Sequence, residues 1–341
     1  LWDLPQQVSK DAAPPAPVRR FDGHTNGITR LVGTPDGKLI SASQDRTIRI
    51  WDPQAAAAGK AEVVLDQETR EKASKRDKTA LEQPGVNVEL QTAAEVLEGH
   101  GDWIQSLALS HDGKRLISGD DGCLTIVWDL AKREPIARWN GYPGNWVVSA
   151  ALSPDGQTAF TAEYADKRGD FDRPPAQARF WNIGSGEMLL DLMVVQFPKV
   201  KVRDSSYGYA STWGKFVCRG FVAAEISPDG KLLAVGQGGE TGTGKVHLIE
   251  VESGKVLRSV ADHRYGVTDL KLSADGKYVL STGRDTTLQI CRVEDGKEVA
   301  RLHEPRGGQF KDWLSAVAIS PDQQWLAATD IAGVLHVWRA E

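Results

Sequence analysis

The 341-residue chain is long enough to form two ordinary domains or one large β unit, so length alone leaves the architecture open. Its 41 Lys and Arg against 46 Asp and Glu give a formal net charge of −5, without the broad basic excess that a grip on nucleic-acid phosphates requires, so no nucleic-acid partner is expected. Hydrophobic residues make up 40% of the chain, but no apolar run approaches the ~18 residues that cross a bilayer, and no membrane insertion is expected. Cys123, Cys218 and Cys291 show no CxxC spacing and no even-numbered framework, which argues against a disulfide scaffold.

The chain opens on Leu1-Trp2-Asp3 without the basic-then-apolar layout of a secretory signal, and these three residues read as the tail of an earlier repeat. From residue 23 the stretch GHTNGITRLVGTPDGKLISASQDRTIRIWD holds His24, Ser41 and Asp45, the residue types of a hydrolytic triad. Its turn TPDGK recurs as SHDGK, SPDGQ, SPDGK, SADGK and SPDQQ, placing an Asp at 36, 112, 155, 229, 275 and 322. Asp-Gly between runs of β-formers is a strong hairpin signal, so each copy reads as a small antiparallel unit and the chain as all-β. In order, the units span about 16–52, 93–129, 135–182, 187–251, 255–293 and 298–339, with an insertion at 53–92. Within that insertion QETREKASKRDKTALEQ, 67–83, is rich in helix formers with interleaved charge and predicts a short exposed helix.

The endings TIRIWD, TIVWDL, ARFWN and LHVWRA, with Gly-His at 23–24 and 99–100, resemble the WD40 repeat over about residues 16–339. That resemblance implies a single WD40-type β-propeller, each repeat giving the outer strand of one blade and three strands of the next. It also implies a buried hydrogen-bond chain of His24, Ser41, Asp45 and Trp51, which makes the triad-like stretch architecture rather than chemistry. By the same register the second repeat keeps His100, Ser118 and Trp128 but has Gly122 where the acid should stand. The fifth keeps His263, Ser281 and Asp285 but has Cys291 for Trp, and only the first set is expected to be complete. Two closures stay open: six blades closed by the strand around Pro17–Phe21, or seven with part of an N-terminal blade missing, as in a piece of a longer, multidomain protein. The SPDGK style of turn is similar to bacterial members of the family.

Several stretches imitate chemistry. Gly239 to Lys245 in GGETGTGK matches a phosphate-loop spacing, but Val246 follows the Lys and VHLIEV continues as a strand, so a wide hairpin is expected. Arg168-Gly169-Asp170 and its neighbouring acids read as a solvated loop, and the histidines and cysteines lack metal-ligand spacing; no metal and no cofactor are expected.

A binding surface is expected where loops crowd one face of the propeller, at 163–177, about 195–216 and 237–244. The residue before each inner strand, nine before the turn Asp, is Gly27, Trp103, Trp146, Gly220, Gly266 and Trp313. Indoles combine large contact area with one donor and are common interface anchors. With Asp102, Asn145, Arg219, Asp312, Tyr207, Tyr209 and Trp213 they suit a protein or peptide partner better than an oily small-molecule cavity. The expected function is therefore a non-catalytic interaction scaffold. The alternative is a propeller hydrolase or oxidoreductase using Asp102, Asp312, His303 or Glu163 at the central mouth.

Overall fold

The structure is a computed structural model and describes residues 18–63, 86–141, 143–165, 178–192, 221–302, 313–331 and 334–339. The described chain is all-β and forms a propeller. After β1 (Arg19–Asp22), the first blade comprises β2 (Ile28–Gly33), β3 (Leu39–Ser43), β4 (Thr47–Trp51) and, beyond the hairpin β5 (Gly59–Val63) and β6 (Val86–Thr92), β7 (Glu95–Glu98). The second is β8 (Ile104–Leu109), β9 (Arg115–Asp120), β10 (Leu124–Asp129) and β11 (Glu134–Asn140). The third is β12 (Asn145–Leu152), β13 (Thr158–Ala165), β14 (Ala178–Asn182) and β15 (Met188–Asp191). Blades four and five are fused at their seam: β16 (Phe221–Ile226) pairs with β17 (Leu232–Glu250), and β17 with β18 (Val256–Leu272). The C-terminal half of β18 then opens the fifth blade with β19 (Tyr278–Gly283), β20 (Leu288–Arg292) and β21 (Glu298–Leu302). The sixth has β22 (Leu314–Ile319), β23 (Trp325–Asp330) and β24 (Leu335–Arg339).

All six repeated turns are hairpins, built by one local device. The Ser (Thr34 in the first turn) preceding each Asp by two residues donates its hydroxyl to the carboxylate, as Ser110 does to Asp112 at 2.7 Å and Ser273 to Asp275 at 2.6 Å. In the last five turns the same carboxylate accepts a backbone N–H two residues on, such as that of Lys114 or Lys277, whereas in the first the Lys38 N–H goes to Thr34 Oγ1. The residue after the Asp is left-handed, with φ of +65° to +84° at Gly37, Gly113, Gly156, Gly230 and Gly276. Glycine adopts that region without steric penalty. The sixth turn puts Gln323 there at φ +57°.

The strands' alternation builds a core at each blade boundary. Ile40, Ile48 and Ile50 pack on Ile104, Leu116 and Trp128 between blades one and two, and Ile117 and Val127 on Leu152 and Trp181 between two and three. Phe160, Phe180 and Leu192 meet Phe221 and Leu233 between three and four. Val246 and Leu248 meet Leu270 and Val279 between four and five, and Leu280 and Leu288 meet Leu314 and Leu326 between five and six. An inner strand has one edge without a ladder partner, and side chains of the preceding blade reach across to bond it. Thr29 Oγ1 donates to the Ile104 carbonyl at 2.6 Å and Ser106 Oγ to that of Val147 at 2.9 Å. Glu225 accepts from Leu272 N–H at 2.6 Å, and Asp269 from Val317 N–H at 2.9 Å.

The boundary between blades six and one differs. Ile28 and Leu31 of β2 are each 59% exposed, and Ile331, Val334 and Leu335 of blade six are about half exposed. Of the two closures left open by the sequence, the six-blade closure by the strand around Pro17–Phe21 is not formed among the described residues. β1 pairs in parallel with β6, Arg19 opposite Glu89 through Asp22 opposite Thr92, and not with β24. The edge that β1 offers is taken by the insertion. Arg19 bonds the carbonyls of Pro53 and Ala55 and the side chain of Gln91, while Phe21 packs edge-on to Trp51 at 5.6 Å. The helix expected at 67–83 lies outside the described residues. The phosphate-loop look-alike lies on β17, which pairs Gly238 with Gly266 and Thr243 with Arg264. Gly244 is required there by close packing, since a Cβ would fall 2.2 Å from the Gln237 carbonyl oxygen.

Candidate interaction surface

The triad-like residues of the first blade form a closed chain of bonds whose direction is fixed by the indole, which can only donate. Trp51 Nε1–H donates to Ser41 Oγ (2.8 Å), Ser41 to His24 Nε2 (2.7 Å), and His24 Nδ1–H to Asp45 (2.7 Å). Burial alone would raise the Asp45 carboxyl. Hydrogen bonds from Thr47 and His24 and from the backbone of Thr25 and Thr47 overcome it and hold the group well below the ordinary carboxylate range. The serine is therefore locked between an indole and an imidazole, and the set is a clasp.

The second blade has the same clasp, and the expectation that only the first was complete is corrected. Its acid is Asp120, two residues before Gly122. Asp120 accepts from His100 Nδ1 at 2.8 Å, while His100 Nε2 takes the Ser118 hydroxyl at 2.7 Å and Trp128 Nε1 donates to Ser118 at 2.9 Å. The carboxylate reaches back from the last residue of β9 instead of up from the turn. Glu163 and Asp330 occupy the same register in blades three and six. Glu163, 1% exposed, pairs with Arg179 at 3.0 Å and accepts Asn145 Nδ2 at 3.0 Å; Asp330 meets His336 at 3.2 Å. In blade five His263 bonds Ser281 (2.8 Å) and Asp285 (3.1 Å), with buried Cys291 in the indole's place.

Of the three indoles singled out in the sequence, Trp103 is 43% exposed, whereas Trp146 and Trp313 are half-buried. Trp313 carries the Arg284 guanidinium 4.6 Å from its ring centroid, a cation–π contact across the boundary between blades five and six. Asp102 accepts the Trp103 N–H at 2.8 Å, and Asp121 N–H donates to the Trp103 carbonyl at 2.9 Å, so two acids flank this residue. Asn145 is fully buried and its amide serves Glu163, which corrects its expected place on a partner surface. Arg219, Asp312, Tyr207, Tyr209 and Trp213 lie outside the described residues, as does His303.

Asp121 was missed in the sequence; the signal was the doubled acid Asp120-Asp121 at one turn. Its Oδ2 accepts Gln105 Nε2 at 3.1 Å, and its buried Oδ1 has no hydrogen-bond partner. Burial, with smaller contributions from the charges of Asp102 and Asp120, pushes its carboxyl up to about 6. Of the acids considered for catalysis, Glu163 is tied into a buried ion pair and Asp102 into its own turn. Among the described residues no three His, Cys, Asp or Glu are grouped to hold a metal ion, and no helix is long and apolar enough to cross a membrane.

Antiparallel blades arranged in sequence, each opened by an Asp-turn hairpin and, in the first two, locked by a Trp-Ser-His-Asp clasp, define a β-propeller of the WD40 type. The family model for the WD domain, G-beta repeat, matches residues 15–52, 91–129 and 254–291, and the chain carries WD40 repeats there. These are the repeats in which His24, His100 and His263 meet their acids. Autophagy-related protein 16 of Arabidopsis thaliana is 24% identical over 260 residues, 72% of this chain and 49% of that protein. The transcription factor unc-37 of Caenorhabditis elegans is 24% identical over 254 residues, 72% of this chain and 34% of that protein. Human WD repeat and SOCS box-containing protein 1 is 30% identical over 114 residues, 33% of this chain and 25% of that protein. The chain thus spans half or less of the length of these curated relatives. All three are eukaryotic, and the bacterial style read from the turns finds no support in them.

Proposed function

We propose that this propeller is a non-catalytic platform that binds a protein or peptide partner on the face carrying Trp103, Trp146 and Trp313. The observation that carries the reading is Trp103, an indole 43% exposed at the head of an inner strand on a scaffold whose other described aromatics are buried or half-buried. Exposed indoles on rigid frames are typical interface anchors. The histidine clasps support it too, because the residues that imitate an active site are buried in structural bonds. Relatives whose names point to autophagy, transcription and a SOCS box share these repeats, which suits a binding frame used in unrelated settings. In a native lysate, partners retained by the folded domain and lost by a Trp103/Trp146/Trp313→Ala variant of unchanged circular dichroism support the reading. An identical set on both removes recognition from this face.

A further inference from the structure

We infer that the outer edge of β24 receives a β-strand from a partner protein, laid antiparallel with a large apolar residue opposite Leu335 and an acid opposite Arg339. The surface lies on blade six, a different blade from that of Trp103, so the inference adds a second binding mode to the platform and does not depend on the indole face.

The other blades define what fits there. Blades one to five each carry an outer strand on the third: β7 on β4, β11 on β10, β15 on β14, the first half of β18 on β17, and β21 on β20. Among the described residues β24 pairs with β23 alone. A strand edge without a ladder partner is a template for another strand. Three residues before the closing Trp, or the residue in its place, the third strands hold Ile48, Thr125, Val246 and Leu288. Opposite these the outer strands set Leu97, Trp139, Val260 and Leu302. All four third-strand residues are 0 or 1% exposed. Leu335 holds the same place in β24, three before Trp338, and is 49% exposed. The covering residue is therefore a large apolar side chain on a strand paired with β24.

Charge adds a second requirement. Arg339 ends β24, exposed, with its guanidinium 5.8 Å from the Trp325 ring centroid and no ion pair to a described residue. Asp129 holds its place in β10 and lies opposite Glu134, the first residue of β11. An acid opposite Arg339 makes a cross-strand pair of opposite charge.

The chain's own strand of this kind is engaged elsewhere. β1 precedes Gly23-His24 as β7 precedes Gly99-His100, which is an outer strand's place in the repeat, yet it pairs in parallel with β6. Arg19 ties it there, to the carbonyls of Pro53 and Ala55 and to Gln91. A second copy fits poorly. β24 of another copy, antiparallel over the same five residues LHVWR, would set Arg339 opposite Leu335 and bring no acid. A strand from a different protein meets both requirements, with main-chain bonds giving affinity and the two side chains giving specificity.

The test uses the full chain and a fluorescein-labelled peptide of residues 132–140, KREPIARWN, whose Glu134 and Trp139 would face Arg339 and Leu335. Its anisotropy should rise saturably with the chain. Leu335→Asp in the chain, or Trp139→Ser in the peptide, should each weaken binding about tenfold or more, the fold-change for losing one large apolar contact. Arg339→Glu should weaken binding of the same peptide and be rescued by its Glu134→Lys form, a reciprocity that a folding defect does not produce. Thermal unfolding confirms that each variant is folded. No saturable binding, or binding that Leu335→Asp leaves unchanged, overturns the inference. Dimers that Leu335→Asp abolishes would put a second copy on the edge, and slow hydrogen exchange of the β24 amides in the free monomer would put a segment of the same chain there; either overturns it too. Trp103/Trp146/Trp313→Ala should bind the peptide unchanged, so failure of the indole face and failure of the β24 edge are read separately.

Discussion

Asp120 meets His100 Nδ1 at 2.8 Å from a place in the chain two residues earlier than that from which Asp45 meets His24. Both side chains of the Asp120–His100 pair are 1% exposed, and Asp120 also accepts the Leu124 N–H at 2.9 Å. The clasp therefore specifies an oxygen at a point in space, and the chain can deliver it from the strand end or from the turn.

Asp120→Ala is accordingly expected to destabilise the protein by about 3 kcal/mol, the usual cost of stranding a buried partner. Gly122→Ala should cost less than about 1 kcal/mol, because the new Cβ would meet Asp120 Oδ1 at 3.3 Å and Asp102 Cβ at 3.5 Å, contacts that small shifts relieve. Urea midpoints of the two variants, with equal slopes, test the assignment. A larger loss at Gly122 would return the clasp to the turn.

Stability should pass through a maximum at weakly acidic pH. Asp121 has a folded-state pKa of about 6, above its unfolded value near 4, so the native state binds the extra proton and is stabilised as pH falls from 7 towards 4. For a partly exposed group the gain is about 1–2 kcal/mol after solvent screening. Asp45 and Asp285 act oppositely: their folded values lie below the unfolded one, so the stability they give is present above pH ~4 and lost as pH falls further. In Asp121→Asn, unfolding free energy should be flat between pH 7 and 5 while the acid limb persists; a persistent rise would locate the proton elsewhere.

Gln323 offers a measure of turn strain. It sits at φ +57° where the other five turns have Gly, and its Oε1 accepts the Ala274 N–H of the neighbouring blade's turn at 3.1 Å. A left-handed non-glycine residue costs about 1–2 kcal/mol. Gln323→Gly relieves the strain and loses the bond, so it should be neutral within about 0.5 kcal/mol, whereas Gln323→Ala keeps the strain and should cost about 1 kcal/mol. Calorimetric midpoints should separate the two; if they coincide, the strain is absent.

The blades were legible because the turn Asp and the alternating strands are local signals that survive in every copy. Gln323 shows that even a copy without the glycine keeps the turn, through the Ser320–Asp322 bond. The exposed Trp103 was legible for a similar reason, its fixed offset from the turn. The acid of the second clasp was not, because Asp120 and Asp45 share a point in space and not a position in the repeat. Asn145 was misplaced because a polar residue beside an indole reads as surface, while its burial depends on Glu163, distant in sequence. The course of β1 was hidden too: a strand next to Gly-His looks like the outer strand of a blade, and only the insertion's own β-hairpin provides the competing edge.

The exposed apolar residues at the boundary of blades six and one predict an uneven response to truncation. Ile48 lies fully buried between blades one and two, so Ile48→Ala removes apolar contacts on both faces of a packed seam and leaves a cavity, costing about 3 kcal/mol. Leu31 is 59% exposed on the inner strand of the same blade, towards blade six, and Leu31→Ala should cost less than about 0.5 kcal/mol in the isolated chain. Denaturant unfolding of the two variants compares the seams directly. A Leu31→Ala loss as large as that of Ile48→Ala would mean that blades one and six are packed together in solution, and the ring is closed.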